Sequence, residues 1–290
     1  MSVAPLFAEV AAPARTRFGP IRRFAEIDST NRYLLGEARA GAPEGTVAVA
    51  DYQSAGRGRL GRRWEAPPRS NLLVSILLRP ILRIDELHLC TVAVALAAAA
   101  ACERGAGVVP ALKWPNDLLV GNAKLGGILA EALPAGAVEH GAPAQSAVVV
   151  GLGLNVGWPP PDDPADTTPD VTPAAPPAVF VAPEVFATPA TSIRREAGSA
   201  PEPVAVLGLV LEELEGRLVD LADSDGRRRL ASEYRRRCVT VGRAVRVSLP
   251  DEVFTGTATD ITLEGHLMVD VGACLRTIAA GDVVHLRDQA

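Results

Sequence analysis

Twelve residues, 53–64 (QSAGRGRLGRRW), concentrate the groups best suited to gripping an anion. Four guanidinium groups, Arg57, Arg59, Arg62 and Arg63, alternate with Gly56, Gly58 and Gly61, and the run ends on the indole of Trp64. Arginine is a planar, permanently charged donor matched to phosphate and carboxylate. Glycine lets the backbone approach a ligand closely or take up φ > 0. A loop of this kind can close over a nucleotide or a mixed anhydride, and mutual repulsion should keep it mobile when no anion is bound. A solvated basic loop and an arginine/glycine nucleic-acid tether are the other readings of the same residues.

A second dense segment is Lys113-Trp114-Pro115-Asn116-Asp117, where the proline restrains the residue before it and fixes a turn. Lysine, amide and carboxylate there can serve phosphate, purine or ribose, and Mg²⁺ respectively. Lys124 follows seven residues after Asp117, with Gly126 and Gly127 just beyond it. A lysine is a compact point charge that can follow negative charge shifting between oxygens. Each lysine alone would equally suit a solvated strand end, and the WPND turn alone reads equally as ordinary turn chemistry.

These residues need elements to hold them. Residues 1–20 read as a flexible tail, with order beginning near Ile21. Ser29 or Thr30 caps a helix over 31–39, and strands at 46–51 and 71–78 flank the arginine loop. The second strand, NLLVSILL, is apolar on both faces and belongs in the middle of a sheet. A helix is expected over 85–104. Residues 112–120 and 124–132 form a hairpin-like pair turning at Gly121-Asn122, and 147–156 is a further buried strand. Prolines crowd 158–203, which reads as a long mobile insertion in which no helix or central strand survives. Helices at 204–221 and 227–237 follow; the arginines of the second read as a solvated face. The last fifty residues are short β segments, 245–249, 252–263, 267–271, 274–279 and 283–286, which suggest a small antiparallel barrel.

Composition narrows the field. The 290 residues are 48% hydrophobic, enough for a real core, and the formal charge of −5 argues against a nucleic-acid coat. Four cysteines and four histidines show no metal-ligand spacing, so no resident metal is assigned. No secretory signal is evident, and a cytoplasmic location is the default. The apolar run at 90–102 is too short to span a bilayer and reads as a buried helix.

Taken in order, Asp28-Ser29-Thr30-Asn31, QSAGRGRLGRRW, LKWPNDLLV, KLGGIL and GLGLNV resemble a biotin–protein ligase, tightly over 24–155 and more loosely in the C-terminal barrel. The resemblance implies an α+β fold: a mixed, largely antiparallel sheet with flanking helices, as in class II aminoacyl-tRNA synthetases, plus a C-terminal barrel of Src-homology-3-like type. The implied boundaries are a tail to 20, a catalytic domain over 21–238 carrying the insertion at 158–203, and a barrel over 239–290. It implies that Ser29, Thr30, Asn31 and Gln53 meet the ureido ring of biotin, whose two N–H donors and carbonyl suit hydroxyls and amides. Gly56 and Arg57 would lie by the biotin, Arg59 would restrain the activated intermediate, and Trp64 would pack as a lid. Lys124 would contact the biotin carboxylate and the α-phosphate. Arg62, Lys113, Asn116 and Asp117 would line the nucleotide side and Asn155 the adenosine, while Gly126 and Gly127 would admit the ligand close to the backbone.

The implied reaction joins biotin to ATP, with Mg²⁺, as biotinyl-5′-adenylate, then passes biotin to a lysine of a biotin carboxyl carrier protein. No nucleic-acid or membrane partner is expected, and a weak or ligand-dependent homodimer is left open. With no helical pair in residues 1–20, operator binding is not expected. The insertion stands where a loop covering the adenylate should follow the GLGLN strand, and no adenine contact is assigned there. A lipoate or octanoate ligase is the rival enzyme; a nucleic-acid-binding protein using the arginine loop and a catalytically dead biotin binder are the others.

Overall fold

The computed structural model describes residues 7–133, 146–161 and 188–286. Most of the proline-rich stretch therefore lies outside the described residues. In chain order the strands and helices are β1 (Ala8–Val10), β2 (Ile21–Phe24), α1 (Thr30–Arg39), β3 (Val47–Ala50), β4 (Leu72–Leu78), α2 (His88–Ala106), β5 (Ala111–Lys113), β6 (Asp117–Val120), β7 (Ala123–Leu133) and β8 (Ala147–Leu154). Three helices follow, α3 (Ile193–Ala197), α4 (Pro203–Leu221) and α5 (Ser224–Arg237). The chain then closes with β9 (Ala244–Ser248), β10 (Val253–Ile261), β11 (Leu267–Asp270), β12 (Leu275–Ile278) and β13 (Asp282–His285).

Strands β1 to β8 form one sheet in the order β1-β2-β3-β4-β8-β7-β6-β5. Every neighbouring pair is antiparallel except β2 with β3. The sheet is the mixed, largely antiparallel one expected. β4 sits at its centre with all seven residues buried, as an apolar strand without alternation should. Helices cover both faces. α1 buries Thr30, Asn31, Leu34 and Ala38, a stripe at helical spacing, against β3, β4 and β8. α2 lies on the other face against β7 and β8, with α4 and α5 packed outside it. By length and composition α2 could cross a membrane, but thirteen of its residues are buried inside the protein, so it is a core helix here.

The C-terminal strands pair in the order β12-β11-β10-β9-β13, all antiparallel, as a separate β-rich unit. Its apolar residues Val245, Val247, Leu267 and Val269 join the same hydrophobic cluster as α2 and the main sheet. Trp114, fully buried, fastens the two parts: its Nε1 donates to the Gly265 carbonyl at 2.9 Å and its backbone N–H to Thr240 Oγ1 at 3.0 Å.

Four expectations are corrected. Ordered structure starts before Ile21, because Ala8–Val10 adds an edge strand to β2 and satisfies backbone groups that β2 would otherwise expose. The segment 112–120 is two strands, β5 and β6, folded back on each other around the Trp-Pro-Asn turn. The long helix starts at His88, preceded by a separate turn of 3₁₀ helix at Ile84–Glu86. Finally, α3 stands inside the proline-rich span, started by the Ser192 hydroxyl, which accepts from the Arg195 backbone N–H, and stopped by Gly198 at φ +76°. Of the α5 arginines, Arg228, Arg229, Arg235 and Arg236 are exposed, as a solvated face requires, while Arg227 and Arg237 are half-buried in ion pairs with Glu86 and Glu103.

Candidate active site

A strand places alternate residues on opposite faces. Along β8, Val148, Val150, Leu152 and Leu154 therefore join the core under α2, while Gly151 and Gly153 look the other way. Gly127 on β7 is paired with Gly153 and with Asp117 on β6, so all three share that face. The missing side chains make room. A Cβ on Gly151 would fall 2.2 Å from Asn31 Oδ1, one on Gly153 2.4 Å from the Trp64 ring, and one on Gly127 3.2 Å from Lys124 Nζ. Above this floor is a cleft of about 340 Å³.

One end of the cleft is a polar pocket at the start of α1. Ser29 caps the helix through its hydroxyl, and Thr30 and Asn31 project from the first turn. Gln53 Oε1 accepts from the Thr30 backbone N–H at 2.8 Å and from its hydroxyl at 3.1 Å. The Ser75 hydroxyl lies 2.7 Å from Thr30 Oγ1 and 2.5 Å from Asn31 Oδ1. Asn31 Nδ2 donates to the Leu129 carbonyl and to Glu131. Amides and hydroxyls interlocked in this way can present both donors and acceptors to a ligand with the same mixture.

The arginine loop crosses the cleft. Its ends are zipped by the Trp64 N–H donating to the Gly56 carbonyl at 3.1 Å and the Gly58 N–H to the Arg62 carbonyl at 2.7 Å. At the tip, Leu60 takes φ +57° and is exposed. The guanidinium groups do not face one another. Arg57 reaches Glu131 at 2.9 Å, Arg62 reaches Asp282 at 2.8 Å, and Arg63 donates to the Ser54 carbonyl. Arg59 donates to Asn116 Oδ1 at 3.2 Å and to the Gly281 carbonyl at 3.0 Å. The repulsion within the loop is offset by protein acceptors, three of them carboxylates, with Glu65 lying 3.4 Å from Arg63. Burial pulls the Arg59 guanidinium below its ordinary value, while Asp282 and Asp117 pull it back.

The far end of the cleft holds the remaining cations. Lys124 Nζ lies 2.7 Å from Asp117 and 5.7 Å from the centre of the Trp64 ring. Burial lowers the Lys113 ammonium, with Asp117 opposing. The backbone at 189–191 runs beside Lys124, whose N–H donates to the Pro189 carbonyl and whose carbonyl accepts from the Thr191 N–H. Asn155 Nδ2 donates to the Lys124 and Thr191 carbonyls, and its Oδ1 accepts from Asn71. That leaves the Asn155 side chain one lone pair on its oxygen free of the named protein partners. Asn116 is spent similarly, donating to the Ile128 carbonyl and accepting from Arg59.

Of the residues expected in the site, Ser29, Thr30, Asn31, Gln53, Arg57, Arg59, Arg62, Trp64, Lys113, Asn116, Asp117, Lys124, Gly127 and Asn155 all line the one cleft. Gly56 and Gly126 are not among its lining residues. A Cβ on Gly56 would strike the Trp64 carbonyl at 2.2 Å, so this glycine lets the loop ends meet. Gly126 pairs with Leu118 and Leu154, which places it on the core face of the sheet. Among the residues that were not anticipated are Ser75, Asn71, Glu131, Asp282 and the floor glycines Gly151 and Gly153. Ser75 carried a signal, being a hydroxyl in an otherwise apolar central strand. Asp282 did not, because only the packing of the C-terminal sheet over the loop brings it to Arg62.

The cleft offers a ligand amides and hydroxyls at one end and lysine and arginine at the other, a polarity suited to a molecule that is neutral at one end and anionic at the other. Residues 24–153 match the Biotin/lipoate A/B protein ligase family, and residues 240–286 match the biotin protein ligase C-terminal domain. A biotin–[acetyl-CoA-carboxylase] ligase of Mycobacterium tuberculosis is 36% identical over 269 residues, covering 91% of this chain and 88% of that protein. A bifunctional ligase/repressor of Bacillus subtilis is 28% identical over 257 residues, covering 89% of this chain and 71% of that protein. In fold the chain is like the biotin protein ligase of Aquifex aeolicus in complex with biotin and ATP, with a TM-score of 0.69 at 24% identity over 92% of this chain and 99% of that one. The chain belongs to the biotin protein ligase family, and it is a biotin ligase enzyme.

Proposed function

We propose that this protein activates biotin with ATP and transfers it to a lysine amine of a carrier domain, that of an acetyl-CoA carboxylase by analogy with the named relatives. The observation that carries the reading is the arrangement along the cleft. A neutral hydrogen-bonding pocket at Thr30, Asn31 and Gln53 is separated by the Trp64 ring and the glycine floor from the cations Lys113, Lys124, Arg59 and Arg62. A ligand neutral at one end and acidic at the other fits that polarity.

In the first step a biotin carboxylate oxygen attacks the α-phosphorus of ATP, the bond to the bridging oxygen breaks, and pyrophosphate leaves. The reacting groups are both anions, so the cost is charge repulsion, which preorganised cations reduce most effectively. Lys124 is assigned to the carboxylate and α-phosphate, and Arg59 and Arg62 to the phosphates. Asp117, 2.7 Å away, holds the Lys124 ammonium in place until the anions arrive. In the second step the carrier amine attacks the acyl carbon of biotinyl-5′-adenylate, and AMP leaves. The arginine loop lies over the anhydride and limits its loss to water.

Mg²⁺ binds nucleotides through phosphate oxygens and one or two carboxylates, keeping several waters. Asp117 at the nucleotide end suits that limited demand, and the ion would supply charge neutralisation to the triphosphate. The described residues contain no group of three or more His, Cys, Asp or Glu placed to hold a metal by themselves. Four unpaired cysteines support a reducing compartment, and the cytoplasm is the proposed location.

Biotin-dependent exchange of labelled pyrophosphate into ATP tests the reading. Exchange supported by biotin and not by lipoate is expected; exchange with lipoate alone, or none, would overturn it.

A further inference from the structure

One carboxylate beside the pocket has no place in the reaction above, yet it holds two residues expected to lie by the biotin. Glu131 lies on the cleft face of β7, two strand positions beyond Leu129 and four beyond Gly127. Its Oε2 accepts from Asn31 Nδ2 at 2.9 Å, and its Oε1 lies 2.9 Å from the Arg57 guanidinium. The two partners come from different places: Asn31 from the first turn of α1, Arg57 from the loop that crosses the cleft.

Asn31 is an amide whose two ends have opposite hydrogen-bonding character. Its Nδ2 faces two acceptors, the Leu129 carbonyl and the Glu131 carboxylate. Its Oδ1 is thereby turned toward Ser75 and Gly151, where it presents an acceptor at the pocket wall. Both groups facing Nδ2 can only accept, so together they forbid the reversed amide, and Glu131 adds the charged acceptor of the pair. The same carboxylate anchors Arg57, the loop arginine nearest that pocket. We propose that Glu131 is a positioning residue for biotin: it sets the donor–acceptor polarity of Asn31 and couples the pocket to the closed arginine loop. This rests on the reading of biotin as the substrate.

The test uses the full chain, wild type and the variants Glu131→Gln, Arg57→Gln and the double variant, in biotin-dependent pyrophosphate exchange. Glutamine keeps the size but offers Asn31 and Arg57 a donor as readily as an acceptor. A rise of tenfold or more in KM for biotin is expected in Glu131→Gln, with KM for ATP within twofold and kcat within threefold. The double variant should be less impaired than the product of the two single effects, because both act through one contact. Partial unfolding lowers the active fraction and hence kcat, but leaves KM where it was, so the split separates positioning from simple stability. An unchanged KM for biotin in Glu131→Gln, beside an active wild type, would overturn this assignment alone. A wild type without biotin-dependent exchange would overturn the assignment together with the substrate reading.

Discussion

Lys124 shows how a single side chain is readied for charge it does not yet carry. Its ammonium is held 2.7 Å from Asp117 and reaches over Gly127, whose absent Cβ leaves the space. Removing it takes away the cation proposed to meet the reacting oxygens while leaving the strand intact. Lys124→Ala is expected to lower biotin-dependent exchange by at least about 100-fold, with the thermal midpoint close to wild type. Exchange within a few-fold of wild type would exclude the role. The glycine floor makes a second, graded prediction. A methyl at 153 would meet the Trp64 ring at 2.4 Å, whereas at 127 it would meet the flexible end of Lys124 at 3.2 Å. Gly153→Ala should displace Trp64 and the loop behind it and reduce kcat/KM for biotin far more than Gly127→Ala. The reverse ranking in steady-state assays would show that the indole is not seated on the sheet.

At the level of elements, the loop is strapped down at both ends by acids on different parts of the fold, Glu131 on β7 and Asp282 at the start of β13. Asp282 occupies Arg62, which is proposed to meet the triphosphate. An ion pair this exposed is worth at most about 1 kcal/mol, a factor of about five in an equilibrium. Asp282→Ala is therefore expected to lower KM for ATP by two- to fivefold; a raised KM would mean that Asp282 supports nucleotide binding. The contrast between these acids and the loop itself shows what the chain discloses before it is folded. Glycines, arginines, lysines and the strands beneath them are readable because each sits in a local pattern. Glu131 and Asp282 meet the loop across 74 and 220 positions of sequence, with nothing local to announce them. The facing of Gly126 was unreadable for a related reason. It depends on strand register, which shifts between Leu118 and Leu119, and one residue of register exchanges core and cleft. Ser75 could have been read, since a lone hydroxyl in a buried apolar strand calls for a partner.

Across the whole molecule, the C-terminal sheet is bound to the catalytic body through a continuous core, and two imidazoles sit near that junction. His88, at the start of α2, lies against Gly265 and 6.3 Å from the Trp114 ring, with its Nε2 sealed from solvent and unpaired. Burial, assisted by His266 and Arg59, lowers it to about 4. His285, whose Nε2 is 3.0 Å from Thr240 Oγ1, is lowered to about 4 by burial and then by Lys113 and Arg243. In the unfolded chain both return to their ordinary 6.5. The unfolded chain then binds more protons than the fold between about pH 6.5 and 4, so stability is lost as pH falls through that window. For His88 alone the loss between pH 7 and 4.5 amounts to at most about 2 kcal/mol. Urea denaturation of wild type and His88→Leu at these two pH values measures it. The variant should lose less stability than wild type on acidification by up to that amount, while at pH 7 the two remain comparable. Equal losses would mean that His88 protonates as readily inside the fold as outside it, and that the junction around Trp114 admits water.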